Sequence, residues 1–142
     1  MCIRHQAEGS AKSPVNSFHK NAFRQEIASA RSFIRERRFE EAFIHLQRAH
    51  VLGQERVSSH VLSHWHMLGL AFRRRQPKAA LGQIVRIVLG ALGSAVGSVP
   101  TGNTGGSDVS MFKRMPIDAE LLSIMQGRKP DNLAKADGSN DA

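Results

Sequence analysis

Five of the seven histidines fall between residues 45 and 66: His45, His50, His60, His64 and His66. Residues four apart on a helix share a face, so His60 and His64 would present two imidazoles one turn apart, the spacing by which two rings share one metal ion. His66 lies about 200° around the helix from His64 and cannot complete that set. His50, near the end of the preceding antiparallel helix, can reach across to it. No cysteine is near, and the only carboxylate close in sequence is Glu55. A set of two or three histidines suits zinc, copper or nickel, with a missing ligand supplied by water or a partner. The competing reading is structural: His50, His60 and His64 flank an apolar stripe and hydrogen-bond across a hairpin. On that reading there is no cofactor, and Zn, Cu or Ni is the alternative.

A second set is cationic. Arg73, Arg74, Arg75 and Lys78, with Arg37 and Arg38, would share the turn ends of two helical hairpins stacked side by side, a rim suited to an acidic protein or a phosphate-bearing ligand. A third is the loop Gly102, Asn103, Thr104, Gly105 and Gly106, whose glycines permit left-handed turns of the kind that cradle phosphate. It lacks a Gly-Lys-Ser/Thr ending and a preceding strand, so a plain loop is expected. Recognised catalytic patterns are missing, and the lone Cys2 sits near the chain start. The leading expectation is therefore a non-enzymatic interaction module binding through the basic rim. A metal-binding or metal-responsive protein is the alternative, and an enzyme acting on a phosphorylated ligand held by the 102–106 loop is a third possibility.

The elements that must position these groups are helices. Phe23, Ile27, Ala30 and Ile34 recur at helical spacing after Asn16 or Ser17, which can cap a first helix. A second, over about 39–52, buries Phe39, Ala42, Phe43, Leu46, Ala49 and His50, and stops at Gly53. A third, capped by Ser58 or Ser59 and running to about Arg74, carries the stripe Val61, Leu62, Trp65, Leu68 and Phe72. Pro77 opens a fourth, with Ala80, Leu81, Ile84, Ile87, Val88 and Ala91 on one side. Asp118 caps a short fifth, Ala119 to Gln126, ended by Gly127. Between them, residues 100–116 read as loop, with Met111, Phe112 and Met115 folded back on the helices.

The chain also repeats itself at an offset of 38 residues. Ala42, Leu46, Arg48 and Ala49 align with Ala80, Ile84, Arg86 and Ile87, and Ile27, Ala30 and Ile34 with Trp65, Leu68 and Phe72. Within the second copy, Trp65-x2-Leu68-Gly69-x2-Phe72 resembles the first helix of the tetratricopeptide repeat, although the period is longer and the copies only two. The expected fold is all-α: two packed tetratricopeptide-like helical hairpins plus a short C-terminal helix, with residues 17–127 as a single domain. Residues 1–16 form a disordered arm and 128–142 a disordered tail.

Composition sets outer bounds. With 142 residues and 41% apolar content the chain can build one modest core. Between residues 17 and 90 stand thirteen Lys and Arg against five Asp and Glu, an excess equal to the whole formal charge of +8. That field favours acidic partners, but the chain has no Tyr and a single Trp for stacking on RNA, and no recognition-helix motif for reading DNA sequence. The Gly93-x3-Gly97 stretch has the spacing used between membrane helices, but Gln83 and Arg86 interrupt its apolar run and Pro100 ends it, so no membrane span is expected. One cysteine and no export signal point to the cytoplasm. The oligomeric state is open; the glycine-rich helix is a candidate for burial by a second subunit.

The segments HLQRAHVLGQ (45–54), HVLSHWHML (60–68) and VPTGNTGGSDVSMFKRMPI (99–117) together resemble a bacterial family catalogued only as a domain of unknown function, over roughly residues 18–125. The resemblance implies a small bacterial cytoplasmic protein and supplies no activity or cofactor. It raises the interest of the GNTGG loop, because it extends beyond the helices.

Overall fold

The computed structural model describes residues 14–95, 102–110 and 112–128. They form α1 (Pro14–Arg35), α2 (Phe39–Gly53), α3 (Val57–Arg73), α4 (Pro77–Ala95) and α5 (Ala119–Met125), with no strand among them. The first four pack in sequence, α1 on α2, α2 on α3 and α3 on α4, and α5 closes over α1 and α2. The expected arm and tail lie largely outside the described residues. α1 already starts at Pro14, two residues before the Asn16 or Ser17 cap read from the sequence, with proline at the first helical position, where its missing N–H costs nothing.

Both hairpins turn in the same way. α1 ends at Arg35 and α2 begins at Phe39; 38 residues later α3 ends at Arg73 and α4 begins at Pro77. In the first turn Arg37 N donates to Ile34 O and Arg38 N to Phe33 O; in the second Arg75 N donates to Phe72 O and Gln76 N to Ala71 O. Arg37 (φ 61°) and Arg75 (φ 55°) hold the equivalent left-handed position, which closes a helix C-terminus and usually belongs to glycine. The 38-residue offset is thus a repeat of turn geometry, although burial does not follow it: Ile27 and Leu46 are buried, and their counterparts Trp65 and Ile84 are exposed.

The main core joins Phe23, Ile27 and Ala30 of α1, Ala42, Leu46, Ala49 and Leu52 of α2, Met67 and Leu70 of α3, and Leu121 and Ile124 of α5. Truncating the fully buried Leu46 to alanine would cost about 2–5 kcal/mol. Gly53, the last residue of α2, packs too closely for a side chain: a Cβ there would stand 2.9 Å from the Phe23 ring and 3.1 Å from the Ser59 backbone. α5 begins as expected, Asp118 Oδ1 accepting from Glu120 N, and Gly127 follows its end.

Two expected faces are corrected. α3 starts at Val57 without a serine cap, and it buries His60, Ser63, His64, Met67, Leu68, Leu70 and Ala71. Trp65 and Phe72 are 62% and 63% exposed, and Leu62 also faces outward. On α4, Ala80 and Gln83 are buried and Ile87 is half-buried, while Leu81, Ile84 and Val88 of the expected stripe are exposed. The side chains of Ala91 and Met111 lie outside the described set. Phe112 is 77% exposed rather than folded back. Polar residues occupy the inner lines of both helices because they meet one another there.

Candidate metal centre

His50 comes from the last turn of α2, and His60 and His64 lie one turn apart on the inner face of α3. All three are buried, at 3%, 4% and 2% exposure. Their ring centroids form a nearly equilateral triangle: 4.7 Å from His50 to His60, 4.6 Å from His50 to His64 and 4.9 Å from His60 to His64. One nitrogen of each ring lies within 4.8 Å of the others'. His66 stands apart from this triangle, and His45 is engaged elsewhere, stacked on Phe33 and held by Glu26 at 2.6 Å.

Neighbouring groups fix which nitrogens carry protons. His50 Nδ1–H donates to the Asn103 carbonyl at 2.8 Å, leaving Nε2 as a bare lone pair. His64 Nδ1–H donates to Gln83 Oε1 at 2.8 Å, since an amide oxygen only accepts. Its Nε2 faces His60 Nε2 at 3.2 Å, so His60 is the donor of that bond. His50 Nε2 is buried and has no hydrogen-bond partner among the described residues. Histidines that ligate metals are held in this manner, one nitrogen tied to a carbonyl or amide and the other turned to the ion.

The loop 102–110 closes the cluster. Gly105 (φ 74°) lies against His50 so closely that a Cβ would stand 2.8 Å from its ring carbons. Gly105 O accepts from Gln83 Nε2 at 3.1 Å, so one glutamine links loop and ring. Asn103 shapes the loop internally: Oδ1 accepts from Gly105 N at 2.9 Å, and Nδ2 donates to the Ser110 and Lys113 carbonyls, both at 2.8 Å. Gly102 N donates to the buried Gln54 Oε1 at 3.1 Å, tying the loop to the end of α2. The GNTGG segment therefore lies across the histidines as a lid.

Electrostatics keep the rings neutral. Burial pushes His60 below the ordinary histidine value and His64 down to about 4; it pushes His50 well below, with the neighbouring histidines and Arg86 acting in the same direction. Arg86, one turn beyond Gln83 on α4, donates to the Val109 carbonyl of the loop. Three neutral imidazoles in mutual reach can hold a metal ion: His50 and His64 already turn Nε2 lone pairs inward, and His60 joins them when its Nε2 gives up its proton.

The basic rim lies elsewhere, at the hairpin turns. Arg74 is paired with Glu40 across the two hairpins, and Arg38 bridges Glu36 and Glu41 at 3.3 and 3.0 Å. Arg73 donates to the Gly69 carbonyl at 3.2 Å, and Arg37 and Arg75 hold the two left-handed turn positions. Lys78 and Arg74 line a cavity of about 470 Å³ together with Asp108 and Gln83. The sequence reading gave Gln83 and Arg86 no role beyond interrupting an apolar run. The signal was the line Ala80, Gln83, Ile87, a polar residue on a helical face otherwise apolar and small.

Fold and site together define a small helical protein with a buried tri-histidine cluster under a glycine-rich loop. The chain belongs to the family described as Protein of unknown function (DUF3703), whose model matches residues 17–125 and so spans all three histidines and the loop. No curated protein and no solved structure gives a match.

Proposed function

We propose that this is a metal-binding protein whose centre is formed by His50, His60 and His64. The observation that carries the reading is the pairing of convergence with preparation. The rings meet in a buried triangle, and Asn103 and Gln83 hold the far nitrogens of His50 and His64 so that both Nε2 lone pairs face inward. A purely structural histidine cluster has no need of a buried nitrogen without a partner, which costs roughly 1–3 kcal/mol.

The test is metal analysis of the full untagged chain purified without chelator, followed by zinc, copper and nickel titrations. Wild type is expected to take one equivalent with better than micromolar affinity. The His60→Ala/His64→Ala variant should lose at least a hundredfold while circular dichroism confirms that its helices persist; His50→Gln is the milder companion if it does not fold. Equal binding by a folded variant, or none by wild type, would end the proposal.

A second reading keeps the acidic partner. A groove of about 540 Å³ is lined by Arg31, Arg35 and Arg73 with Trp65, His66, Ile34 and Gly69, and no carboxylate shares its wall. This basic recess beside an exposed indole suits a phosphate-bearing or acidic ligand better than the ion-paired turns do. Arg31→Glu/Arg73→Glu should abolish retention on an immobilised polyphosphate matrix; retention at unchanged salt would remove this reading.

A further inference from the structure

The donor set and its surroundings restrict which ion the centre takes. The cluster offers three imidazole nitrogens and no thiolate or carboxylate. Its immediate neighbours, the Asn103 carbonyl, the Gln83 amide and the Gly105 backbone, are neutral. The charged group acting on the rings is a cation, Arg86, held by the Gly82 and Val109 carbonyls with its Nε buried and without a hydrogen-bond partner among the described residues; the exposed Asp108 of the loop offsets part of its charge.

Charge then decides. A divalent ion bound here would leave +2 uncompensated in a buried site beside a guanidinium, whereas a monovalent ion leaves +1. The Born cost of burial grows with the square of the charge, so the divalent ion loses about four times as much hydration, and its repulsion from Arg86 is doubled. Geometry acts in the same sense. Zinc is four-coordinate and would need water or another group beside the three imidazoles, and nickel favours tetragonal sets. Here the protein supplies three imidazoles whose ring centroids form a near-equilateral triangle, and Gly105 packs closely against the His50 ring. A d10 monovalent ion is stable with three nitrogen ligands in a plane.

Resting on the metal-centre reading above, we infer that the cluster is built for a low-coordinate monovalent soft cation, Cu(I), in preference to Zn(II) or Ni(II). Ag(I) is its redox-inert stand-in.

The test is competition under anaerobic conditions: Cu(I) against bicinchoninate, and Zn(II) and Ni(II) against a chromophoric chelator, with the full-length protein. Wild type is expected to bind one Cu(I) at least a thousandfold more tightly than either divalent ion. Arg86→Gln, which keeps a donor for Val109 O, should narrow that gap at least tenfold by improving divalent binding. Gln83→Glu, which sets a carboxylate on His64 Nδ1, should narrow it likewise and serves if the Arg86 variant does not fold. Triad-dependent Zn(II) or Ni(II) binding as tight as Cu(I), or a gap that neither folded variant moves, would overturn the selectivity and leave the metal centre standing. Failure of every ion to bind wild type would overturn both.

Discussion

At the scale of single residues, the centre depends on atoms that hold the histidines as much as on the histidines. Gly105 combines a left-handed backbone with contact on the His50 ring, so Gly105→Ala would have to strain the turn and displace the imidazole. We expect a loss of about 1–3 kcal/mol in denaturant unfolding and a tenfold to hundredfold loss of metal affinity. Unchanged values for both would show that the lid does not position His50. The depressed proton affinities give a second expectation, for the metal-free protein. The unfolded chain takes up histidine protons near pH 6.5, whereas folded His64 waits until about pH 4, and His50 and His60 are shifted in the same direction. Stability contributed by the neutral rings is therefore complete above about pH 6.5 and is lost as the pH falls from there towards about 4. The slope is at most about 1.4 kcal/mol per pH unit for each histidine. The groups facing the rings are Arg86, whose charge acts in the same direction, and the uncharged Gln83 and Asn103. Urea midpoints between pH 7 and pH 5 should fall steeply for wild type and much less for His60→Ala/His64→Ala; parallel lines would mean that the acid sensitivity arises elsewhere.

At the scale of elements, the two hairpin turns make a separate claim. Arg75 sits at φ 55° in the position that glycine usually takes. Arg75→Gly should relieve the backbone and raise stability by about 0.5–1 kcal/mol, read as a higher thermal midpoint. A lower midpoint would show that the arginine side chain contributes more than its backbone strain costs. This level was the most legible in the sequence. Pro77, Asp118, Gly127 and the 38-residue offset marked helix ends and repeat because these are local, propensity-driven features. The inward faces of α3 and α4 were not legible, since periodicity arguments assume that buried means apolar. On α3 that assumption selected Leu62, Trp65 and Phe72, which face outward, over His60, Ser63 and His64, which face in. The pair His60 and His64 could be read from its spacing, and His50 from the antiparallel hairpin. The bond from His50 to Asn103 spans 53 residues and the one from His64 to Gln83 spans 19, and no pattern in the chain encodes either contact.

At the scale of the molecule, a chain with formal charge +8 keeps three of its histidines inside and spreads its arginines over turns and grooves. α4 also presents Leu81, Ile84, Val85, Val88 and Leu92 outward, between 44% and 63% exposed. No helix among the described residues is long and apolar enough to cross a membrane. Because the triangle joins the end of α2 to α3 and, through Gln83, to α4 and the loop, a bound ion would brace the two hairpins against each other. At a hundredfold excess over the dissociation constant it should stabilise the fold by about 2.7 kcal/mol. The most direct measurement of the central claim is the X-ray absorption spectrum of the protein loaded with one equivalent of copper under reducing conditions. Three imidazole nitrogens around each metal, reduced to two in His50→Gln, is the expected result. A shell dominated by oxygen or sulfur, or one unaltered in His50→Gln, would contradict a centre made by His50, His60 and His64.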